Sequence, residues 1–363
     1  MSQARIALER PAALLMIAAV FGLIGLLAAQ EIIENPAKPL AKDAGRILKL
    51  TEVWRITDEG GEFYFKNPHD PRVADDGMIF LADEEQLLKL SPDGRFLKNL
   101  YKKGQGPGEI EGGFQYDLHG KDLFIWNFMS RRLWRADLDG AFQEQIKLEK
   151  IHYGDLVGAL PEGFLLSRTS MPPSSERTGK LMETPQAVIL VTREGLEERD
   201  VCTFRPRAFL GLNMGMFWDS SIKILSPDRK TIFAYHGRDY LLEAVEVATG
   251  RSAGRFRRQY PKVPYVEKEW EPEFRKKYGT PKIEFESDIS NLFANRDRLW
   301  VVTSTDDKAK GRLIDVFDKD SRFVDSFYLG PGRRLLGVTD DHIFCQEKKE
   351  DESIALVKYR IDK

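Results

Sequence analysis

Cysteine and histidine are scarce in this chain, which holds two Cys and five His in 363 residues. An oxidising compartment would permit one disulfide. Cys202 and Cys345, however, fall in the third and sixth of the repeats described below, which should not be adjacent. They are expected as buried free thiols. No Cys/His spacing resembles a zinc site. An excess of either charge is missing too. With 55 basic and 57 acidic residues, net charge −2, nothing is left over to neutralise phosphates, so nucleic acid is excluded as a partner. The basic run Arg255-Phe256-Arg257-Arg258 reads instead as a solvated strand face. No nucleophile elbow appears. The glycine-rich stretch Gly104–Glu109 lacks the Gly-Lys-Ser/Thr ending of a phosphate loop and does not lead into a helix.

Long hydrophobic runs are confined to the first thirty residues. Arg5 and Arg10 precede an uncharged stretch from Ala12 to Ala29, followed by Gln30-Glu31. A positive start, an apolar core and small residues near the exit make a secretory signal. At about 18 residues the stretch also meets the lower limit for a membrane-spanning helix. Two readings stay open for residues 1–30: a cleaved signal peptide, or an N-terminal anchor tethering the protein through residues 12–29. Either puts the rest of the chain outside the cytoplasm, secreted or periplasmic, with membrane anchoring under the second reading.

What is present is a repeat. Beyond residue 66, a β-type run, a tight turn and a strongly apolar strand return six times. The apolar strand is Met78–Leu81, Leu123–Trp126, Phe164–Leu166, Ile232–Tyr235, Leu299–Val302 and His342–Cys345. A third strand follows each, and turns such as Pro92-Asp93-Gly94, Leu138-Asp139-Gly140, Glu194-Gly195 and Thr249-Gly250 lead to a fourth. Four strands in roughly 40–50 residues is the signature of a propeller blade. The units run roughly 67–110, 111–150, 151–210, 211–264, 285–329 and 330–363. Residues 31–46, with Pro36 and Pro39, read as a linker. Residues 47–56 read as a strand without a local partner, while the last unit ends one strand short. The expected fold is therefore all-β: a six-bladed β-propeller over 47–363, closed by an N-terminal strand that completes the last blade and removes an exposed sheet edge. Segments Thr169–Pro185 and Arg205–Asp219 stretch two units. An insertion at about 261–287 carries Tyr265, Trp270, Phe274 and Tyr278 among many charges, with a short helix expected from about Glu269 to Lys277. Loops this long are functional or mobile.

From Gly104-Gln105-Gly106-Pro107-Gly108-Glu109 onward, the sequence resembles NHL-type and TolB-like bacterial six-bladed β-propellers. In that pattern a Gly-Pro-Gly turn opens a blade and an Arg-bearing third strand follows. Here the continuation is Asp122–Asn127, Ser130-Arg131-Arg132-Leu133 and Asp137-Leu138-Asp139-Gly140, with a second opening at Gly330-Pro331-Gly332. The first two units match the pattern most closely. The resemblance implies the propeller fold and a binding role on one face; fold alone does not assign activity. NHL-like lyases hold a metal with funnel histidines. That makes His69, His152 and His236 weak candidates for a metal ion, although no second histidine stands near any of them.

A propeller offers its funnel, where the innermost strands begin. The residues at those entrances are His69 and Arg72; Gln115 and Tyr116; His152, Tyr153 and Asp155; Trp218 and Asp219; Asp288 and Asn291; and Arg333 and Arg334. Such a rim of aromatic, amide and charged groups suits a carbohydrate or peptide ligand, by stacking and directional hydrogen bonds. The same residues would equally cap strand ends. No catalytic residue and no cofactor is assigned. The expected function is non-catalytic binding of a carbohydrate, peptide or protein. A metal-dependent lyase or hydrolase, and a structural envelope module docking through the insertion, are the alternatives.

Overall fold

The computed structural model describes residues 31–362, apart from residues 59, 149–153, 212–213 and 349–351. Expectations that fall on residues 1–30, and on His152 and Tyr153, lie outside the described residues. Among those described, no helix is long and apolar enough to cross a membrane.

The chain is almost entirely β. Among the described residues it forms seven sheets, six of which contain four or five strands. Within each of these six, apart from strands contributed by residues 32–56, successive strands pair antiparallel in sequence order. The innermost strands are His69–Val73, Gln115–His119, Gly154–Ala159, Ile222–Leu225, Ile289–Ala294 and Arg333–Val338. We call the sheets first to sixth in that order. Innermost strands of neighbouring sheets pack side by side from the second sheet through to the sixth, and the sixth packs on the first. The first and second are joined by side chains: Tyr116 Oη donates to the carbonyls of Asp70 at 2.5 Å and Phe80 at 2.8 Å. The sheets are therefore arranged as a β-propeller.

Local chemistry explains why the strands turn where they do. Between third and fourth strands the amide of Gly94, Gly140, Gly195 or Ser321 donates back three residues, to Ser91, Asp137, Thr192 or Asp318 respectively. Asp137 and Asp318 reinforce the turn by accepting further amides with Oδ1. These are the Asx-type turns that short polar side chains favour. Gly104 shows a different constraint: a Cβ there would lie 2.0 Å from Glu109 Oε2. The Glu109 carboxylate needs that space to accept the Gly106 amide at 2.9 Å. The Gly-rich hexapeptide is thus a self-capped turn between sheets.

Among the described residues the core is partitioned into six apolar clusters, each lying between successive sheets. Phe124 and Trp126 of the second sheet, for example, face Phe164, Leu166 and Ile189 of the third. One cluster joins Leu336, Phe344 and Leu356 of the sixth sheet to Ile79, Leu81 and Leu88 of the first. Each fully buried side chain of this kind contributes roughly 1.5–3 kcal/mol, so the contacts between sheets carry much of the stability. Both cysteines are free, Cys345 buried and Cys202 half-buried, and burial pushes each thiol up to about 12.

Residues 31–46 differ from the linker their prolines suggested. Strand β1 (Ile32–Asn35) lies parallel to the outer strand of the fourth sheet, and β2 (Arg46–Ile47) lies parallel to that of the fifth. Asn35 secures the path by exchanging hydrogen bonds with Ser321 and Phe323, and Arg46 forks onto Asp325 with two 2.9 Å bonds. Strand β3 (Leu50–Ile56) pairs antiparallel with Ile354–Ile361 at the outer edge of the sixth sheet. Arg55 and Arg333 both reach Glu347, at 2.7 and 2.9 Å. Burial opposes ionisation of that carboxyl, but hydrogen bonds from Tyr359, Arg55 and Arg333 outweigh it and hold the group below the usual range.

The two stretched segments build the seventh sheet. Lys180–Glu183 pairs with Arg207–Gly211, which pairs with Met214–Phe217. The insertion leaves the fourth sheet as two arms bridged at Pro264 and Phe285. It carries helix α1 (Glu271–Tyr278), which ends at Gly279 in the left-handed conformation and has no buried residue.

Candidate ligand site

A cavity of about 530 Å³ opens where the second, third and fourth sheets meet, lined by Phe128, Gly154, Asp155, Thr169, Met171, Gln186, Asp219, Ser220 and Ser221. Its walls follow from the connections already described. Asp155 stands on the innermost strand of the third sheet. Ser220 and Ser221 lead into that of the fourth, and Thr169 and Gln186 flank the segment that contributes to the seventh sheet. Phe128 and Met171, both exposed, supply an apolar edge.

Gln115 is the first organising group. Its Nε2 donates to Asp155 Oδ1 at 3.2 Å while its Oε1 accepts the Leu156 amide at 2.6 Å. The Asp155 carboxylate is thereby held at the cavity while the residue stays exposed. Asp219 is held differently. Its oxygens accept three bonds from Arg207, from the backbone amide, Nε and Nη2, at 2.8–2.9 Å. That carboxylate fixes the seventh sheet to the cavity wall. Trp218 next to it carries the Arg238 guanidinium 5.3 Å above its ring.

Behind the wall sits a polar cluster that the sequence reading missed. Lys223 Nζ donates to Gln186 Oε1 at 2.7 Å and to Ser221 Oγ at 2.8 Å. Ser221 in turn donates to Gln186 Oε1. Burial pushes the Lys223 ammonium down from its ordinary value, with Asp155 acting in the opposite direction. The available signal was period two: Ser221 and Lys223 alternate with Ile222 and Ile224, placing both polar groups on one side of a short strand.

The remaining funnel candidates do not join this cavity. Tyr116 is buried and bonded to the first sheet. Arg72 reaches Asp70 at 3.1 Å and the buried Asp117 at 3.3 Å. Asp117 also accepts Arg229, from the fourth sheet, and the Ala159 amide. A carboxylate clasped by two guanidinium groups thus ties together four innermost or near-innermost segments. Asp288 accepts the Tyr240 amide at 2.8 Å and Lys262 at 2.9 Å. Its Oδ1 is buried without a hydrogen-bond partner among the described residues, and burial raises its pKa against the pull of Lys262. Asn291 accepts the Leu292 amide. Arg333 lies 4.6 Å over the Tyr359 ring, and Arg334 bonds Asn67 and Gln346.

The histidines are dispersed as well. His69 Nδ1 is 2.8 Å from the Asn67 carbonyl, and His236 packs on Phe204 with centroids 5.0 Å apart. Among the described residues, no group of three His, Cys, Asp or Glu side chains could hold a metal ion.

No protein-family model matches the chain, and no curated protein matches it in sequence. Solved structures do. A Bacteroides fragilis protein assigned as exported aligns over 92% of this chain and 100% of its own, at 13% identity and TM-score 0.55. A member of the DUF4221 family from Bacteroides vulgatus aligns over 87% and 99%, at 8% identity and TM-score 0.53. A gluconolactonase from Xanthomonas campestris aligns over 92% and 99%, at 13% identity and TM-score 0.47. At these identities the likeness is one of fold alone.

Proposed function

We propose that the first to sixth sheets are the blades of a six-bladed propeller closed by β3, and that the protein is an extracytoplasmic binding module for a small, hydroxyl-rich ligand. A carbohydrate fits better than a peptide. The observation that carries this reading is the cavity of about 530 Å³, where Asp155, Thr169, Gln186, Ser220 and Ser221 face an edge made by Phe128 and Met171. Carboxylates that accept, and amide and hydroxyl groups that both donate and accept, suit vicinal hydroxyls, and an apolar edge suits the C–H face of a sugar ring. The apolar run at residues 12–29, after two arginines, supports export.

The test is a glycan array on protein starting at residue 31, followed by calorimetry on the best binder. Asp155→Ala should weaken binding at least tenfold while leaving the melting temperature in place. Absence of any glycan signal from the folded protein, or equal affinity in the variant, refutes the reading.

The docking alternative draws on a separate observation. Trp270, 56% exposed, meets Phe274 edge-on at 5.4 Å, and Phe274 meets Tyr278 at 4.7 Å. That aromatic stripe stands on the insertion rather than at the cavity. Loss of partner capture with unchanged glycan binding on deleting 265–283 would favour it.

A further inference from the structure

We propose that Ser221 and Lys223 form a nucleophile–base pair that cleaves acyl esters of a small polar alcohol bound in the cavity. The proposal rests on the cavity assigned above to ligand binding and adds chemistry to it. Ser221 lines the cavity, and its Oγ lies 2.8 Å from Lys223 Nζ, within the reach needed for direct proton transfer. Gln186 Oε1, 2.7 Å from the same Nζ, fixes the amine on the side of the hydroxyl, the orienting role that a third group plays in nucleophile–base pairs.

A serine hydroxyl is a poor nucleophile unless a base takes its proton, and a lysine serves only when neutral. Partial burial beside the cavity favours the neutral amine, the direction in which Lys223 is shifted. With Nζ neutral, the Ser221 hydroxyl turns from Gln186 to the nitrogen lone pair. The amide oxygen still accepts one of the remaining N–H groups.

In the first step Ser221 Oγ bonds to the ester carbonyl carbon as its proton passes to Nζ. The carbon–oxygen bond to the alcohol then breaks, and Nζ returns the proton to the departing oxygen. In the second step water attacks the acyl–Ser221 ester, giving a proton to Nζ. The bond between the acyl carbon and Ser221 Oγ then breaks, Nζ returns the proton to Oγ, and the acid leaves. No oxidant, reductant or further reactant is consumed. Ser220 on the same wall offers a hydroxyl to the charge that develops on the carbonyl oxygen. The cavity volume limits the alcohol to about the size of a mono- or disaccharide.

Two probes test the pair on protein starting at residue 31. A fluorophosphonate should label Ser221, located by peptide mass mapping, and p-nitrophenyl acetate should be hydrolysed with a rate that rises with pH and levels off below 10.5, the ordinary lysine value. Ser221→Ala should abolish labelling of the folded protein. Lys223→Met and Lys223→Arg should both slow labelling by roughly 10²–10⁴-fold, the usual worth of a positioned base, since arginine keeps the charge but cannot act as base. Wild-type protein that is folded yet unlabelled at Ser221 overturns the proposal, and so does labelling that proceeds equally in Lys223→Arg. Glycan affinity, read separately, reports on the binding assignment alone: labelled Ser221 without glycan binding would keep the pair and reassign the alcohol.

Discussion

Replacing Asp117 by asparagine removes one charge and almost no volume, so its cost isolates the electrostatic role of the carboxylate between Arg72 and Arg229. The Asp117 side chain is 2% exposed, against 39% for Arg72 and 22% for Arg229. Removing one member of a buried ionic cluster costs about 3–5 kcal/mol because the remaining charge is left uncompensated. Two features favour the lower end of that range. Arg72 keeps Asp70 at 3.1 Å and part of its hydration, and Arg229 keeps the carbonyls of Leu118 and Ala159. We therefore expect a loss of about 3 kcal/mol at neutral pH, in line with removal from a partly hydrated cluster, and a drop in Tm of roughly 4–5 °C for a domain of this size. Burial alone would raise the Asp117 pKa, but the charges of Arg72 and Arg229 outweigh it and hold the carboxyl below its ordinary 3.8. Its contribution is then complete above that value and is lost as pH falls through the lower, folded-state pKa. The gap between wild type and Asp117→Asn should be widest near neutrality and close on acidification. The assay is guanidinium denaturation at several pH values, with Asp139→Asn as the control. Asp139 pairs with Lys89 but is 84% exposed, so that change should leave the denaturation midpoint nearly in place at every pH, as solvent screens such a pair. An Asp117→Asn protein that melts within two degrees of wild type, or a gap that persists unchanged in acid, would refute the reasoning.

Other expectations concern packing and closure. Phe124→Ala and Trp300→Ala, which truncate rings in the clusters between the second and third and the fifth and sixth sheets, should each cost on the order of 3–5 kcal/mol. A melt within a degree or two of wild type would count against those clusters as the main source of cohesion. A chain starting at residue 57 lacks β1, β2 and β3 and bares the outer edges of the fourth, fifth and sixth sheets, so it should aggregate; a monomer with an unaltered melt, read by light scattering, would contradict this. Joining residues 264 and 284 through a short Gly-Ser turn removes α1, which buries nothing. The melting temperature should move by no more than about the effect of a surface change, and a large drop would show that the helix is part of the core.

The strands were legible because each apolar run is bounded by turn residues, as at Leu123–Trp126 before Asn127 and after Gly120-Lys121. Alternation also corrects the site. Gln115 and Tyr116 are neighbours on one strand, so their side chains point to opposite faces; Gln115 reaches Asp155 while Tyr116 enters the core. Strands β1 and β2 were not legible, since four- and two-residue edges obtain their hydrogen bonds from partners more than two hundred residues away, and the prolines between them mimic a linker. The insertion's helix was anticipated within two residues, at Glu271–Tyr278 against 269–277. The Lys223 cluster escaped because Gln186 belongs to a different sheet from Ser221 and Lys223, and no spacing along the chain announces such a meeting.

The path of β1, β2 and β3 along the outer edges of the fourth, fifth and sixth sheets also fixes an order of events. These segments are made first, yet their partners lie at Ser252–Arg258, Phe323–Tyr328 and Ile354–Ile361. During synthesis they have nothing to pair with until the last sheets exist, and closing such long loops is what slows folding of non-local β topologies. The outer edges of the fourth, fifth and sixth sheets are thus covered by β1, β2 and β3 only after Ile354–Ile361 has been made. A chain held unfolded until that moment would keep these three pairings for last, so its earliest strands would be the latest to find their places.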